Sequence, residues 1–173
     1  MITINVDINK PLTQNYYDKI INHLQFHQLT CSRCGISGGM SIHAYYTRFI
    51  KSYGEKVPIK ITRVICTFCH ATHAILPSSI VPKSQLLLMD HIRIAKAFYK
   101  GNLSLLLKTS PTIDSYSLRY ILNQFLKYWE QRLISASINL LPTETFIKSC
   151  FVTYSKQFMQ INSTPNILFS NTT

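Results

Sequence analysis

Four of the five cysteines fall in two pairs, Cys31-Ser-Arg-Cys34 and Cys66-Thr-Phe-Cys69, separated by residues 35–65. Two thiolates three positions apart can point at one ion, because the turn between them aims backbone N–H groups at the sulfurs. Gly35, directly after the first pair, supplies a residue free to take positive φ. Four thiolates make a closed tetrahedral site of the kind zinc occupies, which contributes folding energy and leaves no open position for catalysis. The spacing therefore predicts a structural Zn2+ held by Cys31, Cys34, Cys66 and Cys69. A rubredoxin-like iron site shares the paired spacing, although such electron carriers are usually acidic; a red colour in the purified protein would mark it. A thioredoxin-like redox motif needs a single pair in a strand-to-helix context. His43, His70 and His73 stand near enough in sequence to replace one cysteine or to sit beside a ligand, and Cys150 reads as a small apolar residue on a helix.

The elements that must position these thiolates are strand-like. Residues 41–51 are rich in β-formers, residues 52–55 (Ser-Tyr-Gly-Glu) supply a turn, and Val57, Ile59 and Ile61 alternate with Pro58, Lys60 and Thr62. Two antiparallel strands with a cysteine pair at each outer end describe a zinc ribbon. Arg48, Lys51, Lys56, Lys60 and Arg63 along it read either as a solvated polar face or as a phosphate-binding one. Ahead of the ribbon, a strand over residues 2–8 and a helix over 13–27 are expected, with Tyr17, Ile20, Ile21 and Leu24 inward.

Beyond Leu76-Pro77 and Val81-Pro82 the apolar period changes from two to 3.6. Ser84 is the expected N-cap of a helix reaching about Lys100, with Leu88, Ile92, Ala95 and Phe98 or Tyr99 buried and Gly101 as its stop. Asn102 opens a short helix to Lys108 with Leu103, Leu106 and Leu107 inward. Asp114 then caps a long helix, and Ile113 staples onto Leu118. Leu118, Ile121, Leu122, Phe125, Leu126, Trp129 and Leu133 share one face. Short helix, tight turn and long amphipathic helix together describe a helix-turn-helix. Ser115, Tyr116, Arg119, Tyr120 and Asn123 occupy the opposite side of the first turns, where a recognition helix meets base edges, and Lys127 and Arg132 suit phosphates. Near the end, Pro142 opens a helix with an apolar stripe from Phe146 to Phe158 that either closes the core or forms a homodimer contact, and residues 162–173 read as a frayed tail. The expected fold class is thus α+β: a small four-cysteine ribbon joined to a helical bundle. Its segments are 1–30 (strand and helix), 31–82 (ribbon), 83–135 (helix-turn-helix) and 136–173 (final helix and tail).

Charge narrows the partner. With 18 Lys and Arg against 7 Asp and Glu the chain carries +11, and an apolar share of 46% is too high for a disordered basic tail. Between Cys31 and Arg132, 14 basic residues face only Glu55, Asp90, Asp114 and Glu130, so nearly the whole excess lies on the ribbon and the three helices. A polyanion, double-stranded DNA first, is the expected partner. No signal peptide stands out at the N-terminus, and the uncharged stretch 64–82 is too polar to span a bilayer. A cytoplasmic, nucleoid-associated protein with no membrane and no small-molecule substrate is expected. No P-loop, Ser/His/Asp spacing or carboxylate cluster argues for an enzyme.

The order Cys31-x-x-Cys34-Gly35, His43-x-Tyr45-x-x-Arg48, Ile61-x-Arg63-x-x-Cys66-x-x-Cys69-x-x-Thr72-His73, Leu76-Pro77, Val81-Pro82 resembles the zinc-ribbon front end of insertion-sequence transposases and related small bacterial proteins. The resemblance spans roughly residues 28–135. It implies sequence-specific DNA binding tied to a mobile element or its control, with a transposition or transcription protein as a further partner. Transposases of this type carry three spaced carboxylates on a catalytic domain, whereas Glu144 is the one carboxylate after Leu133 here. The chain thus resembles the DNA-reading part without the nuclease. The competing reading is a zinc-ribbon interaction module that docks on RNA or on an acidic protein.

Overall fold

The computed structural model describes residues 1–135, with side chains described as far as Leu126; the expected helix from Pro142, Cys150 and the expected tail lie outside the described residues. The fold class is α+β, with one four-stranded sheet and four α-helices among the described residues. The described residues divide into two compact units, one formed by residues 1–50 and 57–78, the other by 51–56 and 79–135.

The first unit is built on the sheet, in strand order β1-β4-β3-β2. Strands β2 (Met40–Ser52) and β3 (Glu55–Cys66) form the expected hairpin. Tyr53 and Gly54 turn it with φ of 51° and 86°, the double positive value a two-residue type I′ turn requires. The sheet then extends further than a simple ribbon. Strand β4 (Thr72–Pro77) pairs antiparallel with β3, Val64 opposite His73, and β1 (Ile2–Ile4) pairs parallel with β4, Ile2 opposite Ile75. Strand β1 is shorter than the expected 2–8. Ser78 takes over its hydrogen bonding, receiving Val6 N–H on its hydroxyl at 3.0 Å, and the Asp7 carboxylate accepts Asn9 N–H to make a turn.

Helix α1 (Gln14–His23) is capped by the Thr13 hydroxyl, which accepts from Tyr16 N–H, and it ends four residues before the expected His27. Leu24 is extended, and a single 3-10 turn over Phe26–Gln28 follows. Ile20, Ile21, Leu24 and Phe26 pack against Ile2, Ile4, Leu29, Met40, Val64 and Ile75, and two cysteines, Cys31 and Cys66, belong to the same buried cluster. Tyr17 is 1% exposed and bridges two strands: its hydroxyl donates to Ile75 C=O at 3.0 Å and accepts Thr62 N–H at 2.8 Å. Gln14 completes the edge by accepting Lys60 N–H at 2.7 Å. Both side chains thus serve the part of β3 that lies outside its register with β4, satisfying backbone groups that would otherwise be orphaned.

The second unit is helical. Helix α2 (Leu88–Tyr99) packs on both α3 (Leu103–Thr109) and α4 (Ser115–Ser135). Leu86, Ile94, Ile113, Leu118 and Ile121 form its core, with Leu103, Leu106 and Leu122 packed against it. Ser84 does not cap α2. An antiparallel bridge between Ile80 and Leu87 closes the turn over residues 82–86 and holds Leu87, the residue before the helix, extended. The Ser84 hydroxyl instead accepts Leu86 N–H and contacts His91 Nε2 at 3.0 Å. Burial holds His91 neutral, its pKa depressed to about 3. Gly101 stops α2 as expected, with φ of 67° and a pair of bonds, Gly101 N–H to Phe98 C=O and Asn102 N–H to Ala97 C=O, that satisfy its last carbonyls. The Asn102 side chain makes no cap bond, and Leu107, expected inward on α3, is exposed.

Helix α4 begins where the sequence places it. Asp114 accepts Ser117 N–H at 2.7 Å, and its other oxygen holds both the Ser117 hydroxyl and Lys51 Nζ. Lys51, which the sequence left open between a solvated polar face and a phosphate-binding one, is therefore committed to an ion pair. The Lys51 ammonium and the Ser117 amide hold the Asp114 carboxyl at about 2, below its ordinary 3.8. Asp114→Ala is expected to cost about 1 kcal/mol, as lost N-caps do. The folded carboxyl binds its proton more weakly than the unfolded one, so the contribution is complete above the ordinary carboxylate range and disappears as pH falls through about 2. Urea midpoints of wild type and variant, followed by helical circular dichroism, should converge over that range.

Candidate metal centre

The two cysteine turns are built alike. In the first, Cys31 N–H donates to Ile36 C=O and Gly35 N–H to Cys31 C=O, both at 2.9 Å. In the second, Cys66 N–H donates to Ala71 C=O at 2.9 Å and His70 N–H to Cys66 C=O at 2.8 Å. Each turn needs a residue of positive φ one place after its second cysteine, Gly35 at 74° and His70 at 55°. The sequence marks the first with glycine. It hides the second, because His70 occupies a conformation that non-glycine residues take at a cost. Gly39 seats the second turn: Thr67 N–H donates to its carbonyl at 2.8 Å, and a Cβ there would fall 2.4 Å from the Phe68 ring.

The turns bring all four sulfurs within 4.8 Å of one another. Cys31 and Cys69 are 3.6 Å apart and Cys34 and Cys66 3.8 Å. Disulfides require about 2.05 Å. A tetrahedral ion with metal–sulfur bonds of about 2.3 Å places its thiolates about 3.8 Å apart, so the donor set fits one metal ion. Ionisation points the same way. Desolvation raises the Cys31 thiol, but the Cys34 and Arg33 amides with the His73 and Cys69 side chains outweigh it and draw it down to about 6. At Cys34 the Ile36 amide favours the thiolate, yet desolvation and the three neighbouring cysteines push it up to about 12. Four sulfurs at this separation cannot all be anionic without a cation among them.

His73 supplies the missing orienting group. It is 5% exposed, and its Nε2 lies 3.3 Å from the Cys31 sulfur. Its Nδ1 lies 3.0 Å from the Met1 amine and 3.3 Å from the Ser32 hydroxyl. With the proton on Nε2, the ring donates to Cys31 and accepts from Met1, which fixes the sulfur's orientation. Among the three histidines considered as ligands, His73 thus stands beside a cysteine rather than in its place, and His43 and His70 are exposed.

The residues read as DNA contacts are placed as follows. Ser115, Tyr116, Arg119, Tyr120 and Asn123 are exposed on α4, on the side opposite Leu118, Ile121 and Phe125, with Tyr116 79% exposed. Lys127 and Arg132 lie on the same helix beyond the last described side chain. On the hairpin, Lys60 is exposed with its Nζ 4.5 Å from the Tyr45 ring centroid. Arg48 and Arg63 are half-buried, and Arg63 donates to the Thr72 hydroxyl at 2.8 Å.

Residues 31–97 match the model of a domain of unknown function, DUF6431. The matched stretch holds all four cysteines, the hairpin, β4 and most of α2. Helices α3 and α4 fall beyond it. No curated protein and no solved structure matches the chain. No helix among the described residues is long and apolar enough to cross a membrane.

Proposed function

We propose that the chain is a zinc-stabilised, sequence-specific duplex-DNA-binding protein, the reading part of a transposase-like system without its nuclease. The observation that carries this reading is the outer side of α4. Tyr116, Arg119, Tyr120 and Asn123 recur at helical spacing on its first turns, all exposed, while the apolar side is packed against α2. In the proposed complex these turns enter the major groove, where Arg119 pairs with the O6 and N7 of a guanine and Asn123 with the N6 and N7 of an adenine. Ser115, Tyr116 and Tyr120 contact the adjoining sugar–phosphate, and Lys127 and Arg132 the backbone further along. Arg48, Lys60 and Arg63 on the hairpin add phosphate contacts that carry no sequence information. Zinc, held by Cys31, Cys34, Cys66 and Cys69, plays no part in reading; a four-thiolate site is closed and holds the sheet together. The excess of basic residues between Cys31 and Arg132 and the resemblance to transposase front ends support the same conclusion.

Gel-shift titration tests it. Arg119→Ala is expected to cost about 1–3 kcal/mol on the preferred duplex and to relax specificity at one base pair. Lys60→Ala should weaken binding to all duplexes alike, and log affinity should fall linearly with log salt. Undiminished binding by Arg119→Ala, or the absence of a salt slope, contradicts the proposal.

A further inference from the structure

Strand β2 is an edge of the sheet among the described residues. Ser41, His43, Tyr45, Thr47 and Phe49 are all exposed, whereas in the alternate set Ala44, Tyr46 and Arg48 are half-buried, Ile50 is buried and Ile42 alone is exposed. Tyr45 is 52% and Phe49 48% exposed, so two aromatic rings stand in solvent on the outer face of an ordered strand. Burying them elsewhere would be favourable, since aromatic side chains carry large apolar areas. The Lys60 ammonium sits over the Tyr45 ring, and Gln14 pins the Lys60 main chain on both sides, accepting its N–H at 2.7 Å and donating to its carbonyl at 3.4 Å. A cation on an anchored stretch of main chain therefore lies over an exposed ring. From Met40 to Arg63 five basic residues face a single carboxylate, Glu55.

We infer that this face binds single-stranded DNA, with bases stacking on Tyr45 and Phe49 and Lys60 holding an adjacent phosphate. Aromatic rings interleaved with cations on a sheet form a platform that any base can use, because every base has a π-face. A duplex cannot use it, since its bases are already stacked on one another and present only their edges. Residues four apart on a strand are separated by about 13 Å. At the ~3.4 Å rise of one stacked strand that spans about four nucleotides, and fewer in an extended one, so two bases can be engaged with the intervening chain crossing Thr47. The charge complements a polynucleotide and disfavours an acid-poor or apolar partner. The choice of DNA over RNA rests on the duplex-DNA function proposed above; the stacking site itself does not.

Fluorescence anisotropy with the full-length, metal-loaded protein tests the assignment, using labelled oligo(dT), oligo(U) and a labelled duplex of the same length. Tyr45→Ala and Phe49→Ala are each expected to weaken oligo(dT) binding about fivefold or more, the effect of losing one stacked base. Tyr45→Phe should bind as wild type, and all three variants should melt as wild type does, because the rings are exposed. Duplex binding should change little in these variants, while Arg119→Ala should weaken binding to the preferred duplex about fivefold or more and keep oligo(dT). Retention of full oligo(dT) affinity by both alanine variants overturns the inference. So does a preference for oligo(U) over oligo(dT), or a Tyr45→Ala variant whose only change is the loss of a dimer in sedimentation. If Arg119→Ala keeps its duplex binding while the ring variants lose oligo(dT), the helix reading fails and the stacking face stands.

Discussion

Stripping the metal with a strong chelator is expected to unfold the first unit. Cys31 and Cys66 are fully buried within the cluster that joins β1, β3, β4 and α1, while Cys69 is half-buried and Cys34 exposed, so the two turns are anchored in the core through one cysteine each. Apparent binding free energies of structural zinc in small domains reach about 10–16 kcal/mol, comparable to or larger than the roughly 5–15 kcal/mol that keeps a whole domain folded. Removal of the ion leaves four adjacent thiols that must redistribute protons, and it releases the two turns that start β2 and β4. Amide exchange at Val64 and Ile75, protected by the sheet and 0% exposed, should then accelerate by orders of magnitude. Cys66→Ser should reproduce the effect at saturating zinc. Exchange that survives both treatments would remove the metal from the account of stability.

The second large effect is expected at a single oxygen. Tyr17→Phe keeps the ring and its packing but strands two buried backbone groups, Thr62 N–H and Ile75 C=O, which the hydroxyl now joins. An unsatisfied buried group costs about 1–3 kcal/mol, so the substitution should lower stability by about 2–5 kcal/mol. The adjacent Tyr16→Phe, on the more open side of α1, should stay within about 0.5 kcal/mol. Urea midpoints read the difference, with an unchanged slope showing that the same surface is exposed on unfolding. A Tyr17→Phe cost below about 1 kcal/mol would show that the hydroxyl does not carry the junction between α1 and the sheet.

These residues also show which parts of the molecule sequence patterns reveal. Local signals were legible: paired cysteines, Gly35 at a positive φ, the Tyr53-Gly54 turn, Asp114 capping α4, and the division of α4 into buried and exposed sides. Each depends on residues within one turn or one strand of each other. Non-local pairings left no such trace. Strand β1 matches three residues of β4 more than seventy positions away, and nothing in Ile2-Thr3-Ile4 encodes that partner. Tyr17 could be read as inward from its spacing, but its hydroxyl's two strand partners could not. Ser84 has the side chain of a helix cap and lost that role to the Ile80–Leu87 bridge, a tertiary constraint overriding a local preference. His70 hides the second turn's conformation, and His73's contact with Cys31 depends on β4 pairing with β3.

The central claim is that α4 reads a DNA sequence, and selection of bound duplexes from a random pool tests it most directly. The metal-loaded protein should enrich one motif over successive rounds, and Arg119→Ala should enrich the same motif with one guanine position relaxed. A pool that stays random under conditions where the protein retains DNA would contradict the claim, leaving charge alone to account for the binding.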